Sequence, residues 1–370
     1  MPKLADPLEL KSLRLRNRLV MAPMVTGLAV DHRPSDALLT WYAERARAGM
    51  GLVIVESCAI DPAATIMPFM LGIWDDTFLP GLARITAAIH GEGVPVVLQL
   101  VHGGARSLRA DLSQERLGPS AVSVLPGPAP RAMTEAELQD VIDAFVAAAL
   151  RAKAAGFDGI EIHAAHYYLL SEFLSPYTNR RTDRWGGSRE GRSRLVVETI
   201  RAVRKAVGPD TLLLCRMHAV EFVEGGLSEA DAHCFAKTFA DAGVDVINAS
   251  GVGQSSLGVW EGQSFLNTSS GLPKTALAGA YAPYTGRLRE GLGIPVIAVG
   301  KLGEKGVAQQ VLDAGQADLV AIARQLIADP ETGTKILEGR EDEIQRCQEC
   351  LACFASIRKG PIKCTVNKSL

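Results

Sequence analysis

RAKAAGFDGIEIHAAHYY (151–168) holds a helix end, a turn, a strand and a cluster of reactive side chains in one short stretch. It opens with the last turns of TEAELQDVIDAFVAAALRAKAAG (134–156), whose apolar residues recur at helical spacing. At Ala155-Gly156 the glycine can take the left-handed conformation that closes a helix. DGIEIH (158–163) then reads as a short buried strand, and it ends on a histidine.

The same unit recurs along the chain. Runs rich in β-branched residues lie at LVMAPM (19–24), LVIVES (52–57), PVVLQL (95–100), TLLLCRM (211–217), VDVINAS (244–250), IPVIAVG (294–300) and ADLVAIA (317–323). A second clear helix is SEADAHCFAKTFADAG (228–243), and Ala48-Gly49, Ala242-Gly243 and Ala314-Gly315 repeat the helix-closing joint. Strands that are apolar throughout, rather than alternating, are buried on both faces, as in a parallel sheet covered by helices. Eight such strands predict an α/β fold of the (β/α)8 TIM-barrel type, with a short cysteine-rich extension at its C-terminal end. The expected division is a barrel over 1–340 and an extension over 341–370.

Composition narrows the function. Among 370 residues, 39 Lys and Arg nearly cancel 41 Asp and Glu, leaving a net charge of −2. Such a balance gives no electrostatic footprint for nucleic acid or an anionic membrane. No apolar stretch approaches the roughly eighteen residues of a membrane span, and the N-terminus lacks a signal-type apolar core. A cytoplasmic protein is expected, in which clustered cysteines read as metal or redox groups rather than disulfides. GVGQSS (251–256) lacks the third glycine of a dinucleotide fingerprint, and no P-loop or HExxH is present.

In a barrel, chemistry belongs to the loops after the strands. HAAHYY places His163, His166 and Tyr168 at such a position, where two imidazoles and a phenol can bind a carbonyl or carboxylate oxygen and deliver a proton.

The chain resembles the old yellow enzyme family of FMN-dependent oxidoreductases. The resemblance rests on NRLVMAPM (17–24), QLVHGG (99–104), GFDGIEIHAAHYYLLSEFLSPYTNRRTDRWGGS (156–188), the strand end around Arg216 and ADLVAIARQLIADP (317–330). MVTGL (24–28) and the terminal cysteines resemble the branch containing 2,4-dienoyl-CoA reductase and trimethylamine dehydrogenase. It implies FMN over the barrel mouth. The ring would be held by Ala22, Pro23, Met24 and Val25 from the first strand end, by Ser57, by the Gln99 amide and by the Arg216 charge. The phosphate would be held by Gly300, Lys301, Ala323 and Arg324, through backbone N–H groups and a guanidinium fork.

For the substrate, the resemblance implies that His163 and His166 grip an activating carbonyl oxygen while hydride passes from the flavin to the β-carbon and Tyr168 protonates the α-carbon. An ene reductase acting on an α,β-unsaturated carbonyl compound follows, with NAD(P)H as electron donor. The chain also departs from its relatives. Val25 stands where many have cysteine or threonine, Gly27 where some have tyrosine, and Tyr167 where glycine is common, so an exchange of bulk around the pocket is expected. GVGQSSLG lacks the histidine that the dienoyl-CoA relative uses after strand six, which argues against a CoA thioester.

Cys347, Cys350, Cys353 and Cys364 follow the order C-x2-C-x2-C-x10-C. Thiolates so spaced can wrap a [4Fe–4S] cluster, as the trimethylamine dehydrogenase type does. Four thiolates also suit tetrahedral zinc, and free thiols come last. Cys58, Cys215 and Cys234 read as small apolar residues. Relatives with this cluster continue into an FAD- and nicotinamide-binding half, whereas TVNKSL follows Cys364 here. Either that half is a separate reductase chain, or an electron-transfer flavoprotein docks directly as a partner, or the sequence is a cut domain; assembly into a homo-oligomer is also expected. The alternative activity is an amine dehydrogenase or demethylase subunit that passes electrons through the cluster to such a partner.

Overall fold

The computed structural model describes residues 1–107, 115–252, 254–260, 263–269, 272 and 274–370, with backbone alone for 254–260 and 263–269. Eight strands form the barrel: β1 (Leu19–Met21), β2 (Leu52–Ala59), β3 (Val96–Val101), β4 (Gly159–Ala164), β5 (Leu212–Glu221), β6 (Val246–Val252), β7 (Val296–Ala298) and β8 (Leu319–Ile322). Each pairs in parallel with the next, and β8 returns to pair with β1, Val320 opposite Leu19. The expected (β/α)8 barrel is the fold observed.

Helices α1 (Asp36–Arg47), α2 (Leu79–His90), α3 (Glu135–Ala154), α4 (Arg189–Val207), α5 (Glu229–Asp241), α6 (Ala282–Arg289) and α7 (Val307–Asp313) alternate with these strands. Their starts follow local chemistry. Thr134 and Glu137 form a reciprocal capping box at α3, and Ser228 with Asp231 does the same at α5. Their ends follow the joints: Gly49, Gly156, Gly243 and Gly315 all hold positive φ.

Alternation along each strand sorts side chains into two apolar layers. Leu19, Met21, Val53, Val55, Leu98 and Ile162 face the helices. Val20, Leu52, Ile54, Val97, Leu214 and Val246 fill the barrel, together with Leu10 and Leu15 of the hairpin Leu8–Leu10/Leu13–Leu15 that packs into its N-terminal end. Inward positions therefore continue, two residues at a time, into Ala22, Gln99, Glu161, His163, Arg216 and Asn248 at the C-terminal mouth.

β5 runs further than the sequence predicts, to Glu221, because its pairing with β6 shifts register between His218 and Val220. Among the described residues no helix is long and apolar enough to cross a membrane.

After β8, α8 (Arg324–Ala328) and α9 (Thr332–Leu337) lead into the terminal segment, which contains the short α10 (Ala352–Ser356). That segment is tied to the barrel. Gln325 accepts the Cys347 N–H at 3.0 Å and donates to the Gln345 carbonyl at 2.9 Å, and Ile362 donates its N–H to the Thr26 carbonyl at 2.8 Å.

Candidate functional site

The barrel mouth opens into a cleft of about 770 Å³. Ala22, Arg216, Gly300, Lys301, Ala323 and Arg324 line it, which brings together six of the residues expected to hold a flavin, while Ser57 and Gln99 are not among its lining residues. Pro23, Met24 and Val25 continue from Ala22 as a half-buried loop.

Two buried guanidinium nitrogens, Arg216 Nε and Arg324 Nη1, have no hydrogen-bond partner among the described residues. Buried donors are almost always satisfied, so two unpaired ones lining one cleft mark it as a site for an anionic, hydrogen-bond-accepting ligand. Burial works against the Arg216 charge, and the nearby Glu161 carboxylate supports it. Gly300 at φ 113° and Lys301 at φ 57° turn the chain sharply after β7. An anionic flavin cofactor fits the chemistry of these residues.

The Lys301 side chain plays a different part. Its ammonium donates to the carbonyls of Lys274 (3.0 Å) and Ala276 (2.7 Å) and pairs with Glu349 at 2.7 Å, so only its backbone remains for a phosphate.

Beneath the cleft lies a polar layer that the sequence reading missed in part. Ser57 Oγ donates to the Gln99 amide oxygen, Gln99 donates to Glu161 at 2.7 Å, and Asn248 donates to the other Glu161 oxygen at 2.7 Å. Gln99 is thus already engaged on both its oxygen and its nitrogen, although each keeps further capacity. Burial raises the Glu161 pKa, opposed by Arg216, Asn248 and Gln99. Glu161 is not singled out in the sequence reading; its one sequence signal is a carboxylate in the apolar run DGIEIH, two residues before His163.

His163 and His166 meet edge to face, with centroids 5.0 Å apart, and Tyr168 stands 5.0 Å from His163. The trio expected from HAAHYY is assembled. His166 Nδ1 lies 3.3 Å from His163 Nε2, and its Nε2 lies 2.8 Å from Ser250 Oγ, because buried ring nitrogens must be satisfied. Ser250, which the sequence reading did not single out, lines the cleft. Burial, reinforced by Arg216, holds both imidazoles well below their ordinary pKa and therefore neutral. Burial likewise raises the Tyr168 phenol, opposed by Arg106, Arg216 and Arg358.

The expected exchange of bulk between Gly27 and Tyr167 takes another form. Tyr167 is fully buried and turns away from the cleft to donate to Glu221 at 2.9 Å. Gly27 is covered by backbone of the terminal segment, Gly360 and Ile357. Gly253 of the GVGQSS stretch lies outside the described residues, as do the side chains of Gln254, Ser255 and Ser256.

Cys347, Cys350, Cys353 and Cys364 line one cavity of about 300 Å³, and none of the seven cysteines is in a disulfide. Arg324, Cys347 and Glu349 border both this cavity and the main cleft. Among the described residues no three His, Cys, Asp or Glu side chains come close enough to hold a single metal ion. Cys58 and Cys215 are buried strand residues, as expected, while Cys234 is half-buried.

The chain is 38% identical over 379 residues to an NADH oxidase of Thermoanaerobacter brockii, covering 99% of this chain and 56% of that protein. Its structure superposes on a 2-naphthoyl-CoA reductase in complex with 2-naphthoyl-CoA with a TM-score of 0.90, at 26% identity over 99% of this chain and 57% of that one. For a histamine dehydrogenase from Rhizobium sp. 4-9 the TM-score is 0.86, at 29% identity over 98% of this chain and 52% of that one. The chain spans about half the length of the curated relatives it first matches. Residues 3–343 match the model of the NADH:flavin oxidoreductase / NADH oxidase family, and the chain belongs to that family.

Proposed function

We propose that this chain is the FMN-binding unit of an NAD(P)H-dependent oxidoreductase that reduces the C=C bond of an α,β-unsaturated carbonyl compound. The observation that carries the reading is the buried His163–His166 pair beside Tyr168, at the end of β4 and next to a cleft where two arginine nitrogens have no partner among the described residues. FMN, when bound, supplies the hydride chemistry that the side chains lack.

The residues do the rest. A substrate carbonyl oxygen would replace one of the present imidazole contacts and accept an N–H, which stabilises the enolate charge as it develops. The Tyr168 phenol, held protonated by burial, would donate to the α-carbon. Arg216 would offset the negative charge of the reduced ring, and Gly300, Ala323, Arg324 and the Lys301 backbone would hold the phosphate.

Residues 341–370 are proposed as a four-cysteine extension for a [4Fe–4S] cluster. Tetrahedral zinc would need the sulfurs about 3.8 Å apart, given Zn–S bonds of about 2.3 Å. Four thiols around one cavity, in the order C-x2-C-x2-C-x10-C, support the polynuclear group, with tetrahedral zinc as the alternative.

The likeness to histamine dehydrogenase and the wall common to both cavities favour a second reading. In it the site oxidises an amine, and single electrons leave through the cluster to a partner flavoprotein. Anaerobic turnover separates the two. Reoxidation of the reduced protein by enones supports the first, bleaching by amines without enone activity supports the second, and response to neither overturns both.

A further inference from the structure

The register shift in β5 has a local consequence. Residues three apart on a regular strand face opposite sides, but the irregularity between His218 and Val220 turns His218 and Glu221 the same way. His218 Nδ1 lies 3.0 Å from Glu221 Oε1, and both side chains are buried. The other Glu221 oxygen accepts from Tyr167 Oη (2.9 Å), Ser175 Oγ (2.8 Å) and the Leu227 N–H (2.8 Å). Burial alone would raise the Glu221 pKa, yet the bonds from His218, Leu227 and Ser175 hold it below its ordinary value.

On its far side, His218 Nε2 accepts the backbone N–H of His166 at 2.6 Å. An accepting Nε2 leaves the proton on Nδ1, where it is donated to Glu221. Glu221, His218 and the His166 backbone thus form one continuous chain of hydrogen bonds. It ends on an unusual turn, since His166 (φ 62°) and Tyr167 (φ 54°) are consecutive left-handed residues that both carry side chains. Such residues persist only where their surroundings hold them. Here His218 holds the first through its N–H, and Glu221 holds the second through its hydroxyl.

We propose that His218 and Glu221 are positioning residues of the active site: they clamp the His166–Tyr167 turn from behind and so fix where His166 and Tyr168 meet the substrate. The proposal rests on the ene-reductase reading for its kinetic consequence and on geometry alone for the clamp. It also gives Tyr167 a task, as the handle by which Glu221 grips the turn.

The test uses the full-length, flavin-loaded protein with His218→Leu, which deletes the acceptor, and His218→Gln, whose amide can accept from His166 and donate to Glu221. Hydrogen exchange of the segment 164–170 and enone kinetics are read together. His218→Leu should speed exchange there and lower kcat about 100-fold, as small misplacements of catalytic groups do, with flavin retention unchanged. His218→Gln should restore most of both. Wild-type exchange in folded His218→Leu, or a Gln variant no better than Leu, overturns the proposal. If His218→Leu does not fold, Tyr167→Phe removes one hydroxyl from the same clamp. It should shift both readouts in the same direction but less, and wild-type exchange in that variant overturns the proposal. Should the wild type reduce no enone while exchange behaves as stated, the functional reading falls and the clamp stands.

Discussion

Gly27 and Gly360 pack backbone against backbone, so that a Cβ on Gly27 would run into the Gly360 carbonyl oxygen. The loop after the first strand and the cysteine-bearing segment are thereby one piece of structure. Gly27 also holds φ 67°, which favours glycine on its own account. Gly27→Ala should cost about 1–3 kcal/mol through strain and displaced backbone. Thermal denaturation and limited proteolysis around 357–362 would read this, and an unchanged Tm with unchanged cleavage would refute it.

The four thiols around one cavity predict an all-or-none metal content. Serine at any one of Cys347, Cys350, Cys353 or Cys364 should remove most iron and acid-labile sulfide from anaerobically prepared protein. Cys234→Ser is the control, since Cys234 lies on α5 far along the chain from the cavity residues. One zinc per chain and no sulfide would sink the cluster.

Arg324 and Lys301 should behave differently despite their shared charge. Arg324 Nη1 has no partner among the described residues, so Arg324→Gln should weaken FMN binding about tenfold to a hundredfold, the worth of one hydrogen bond to a charged group. The Lys301 ammonium already holds Lys274, Ala276 and Glu349, so Lys301→Met should lower Tm more than FMN affinity. Flavin release followed by fluorescence, beside a melting curve, distinguishes them, and the reverse ranking would refute the assignment.

Tyr168→Phe should lower the rate of enone reduction by about 10²-fold or more, typical for loss of a positioned acid, and leave reduction of the flavin by NAD(P)H intact. Stopped-flow measurement of the two half-reactions tests this directly. Equal losses in both would move Tyr168 out of the proton-donor role.

Glu56 sets a stability profile in pH. Burial pushes its pKa up to about 8, opposed by hydrogen bonds from Thr26 and Tyr42, while Oε1 has no partner among the described residues. The folded state therefore binds this proton more tightly than the unfolded chain does. Its contribution is complete below about pH 4.5 and is lost as pH rises through about 8, on the order of a few kcal/mol. Glu56→Gln should flatten the fall of Tm across that window. A wild-type slope retained in the variant would assign the dependence to another group.

The sequence by itself determined the barrel and the positions of its reactive residues. Helix-closing glycines, capping residues and apolar strands act over a few neighbouring residues, so Gly49, Gly156, Gly243 and Gly315 are legible where they stand. Strand alternation then carries Gln99, His163 and Arg216 to the mouth without long-range information. Only the tertiary structure decided what those residues touch. Glu161 bridges Gln99 and Asn248 from three strands, the bulge in β5 turns His218 and Glu221 onto one side, and Tyr167 follows them inward rather than into the cleft. The terminal segment reaches back to Thr26 and covers Gly27. These pairings join residues distant in sequence, whose meeting depends on closure of the whole barrel, and no local spacing encodes that.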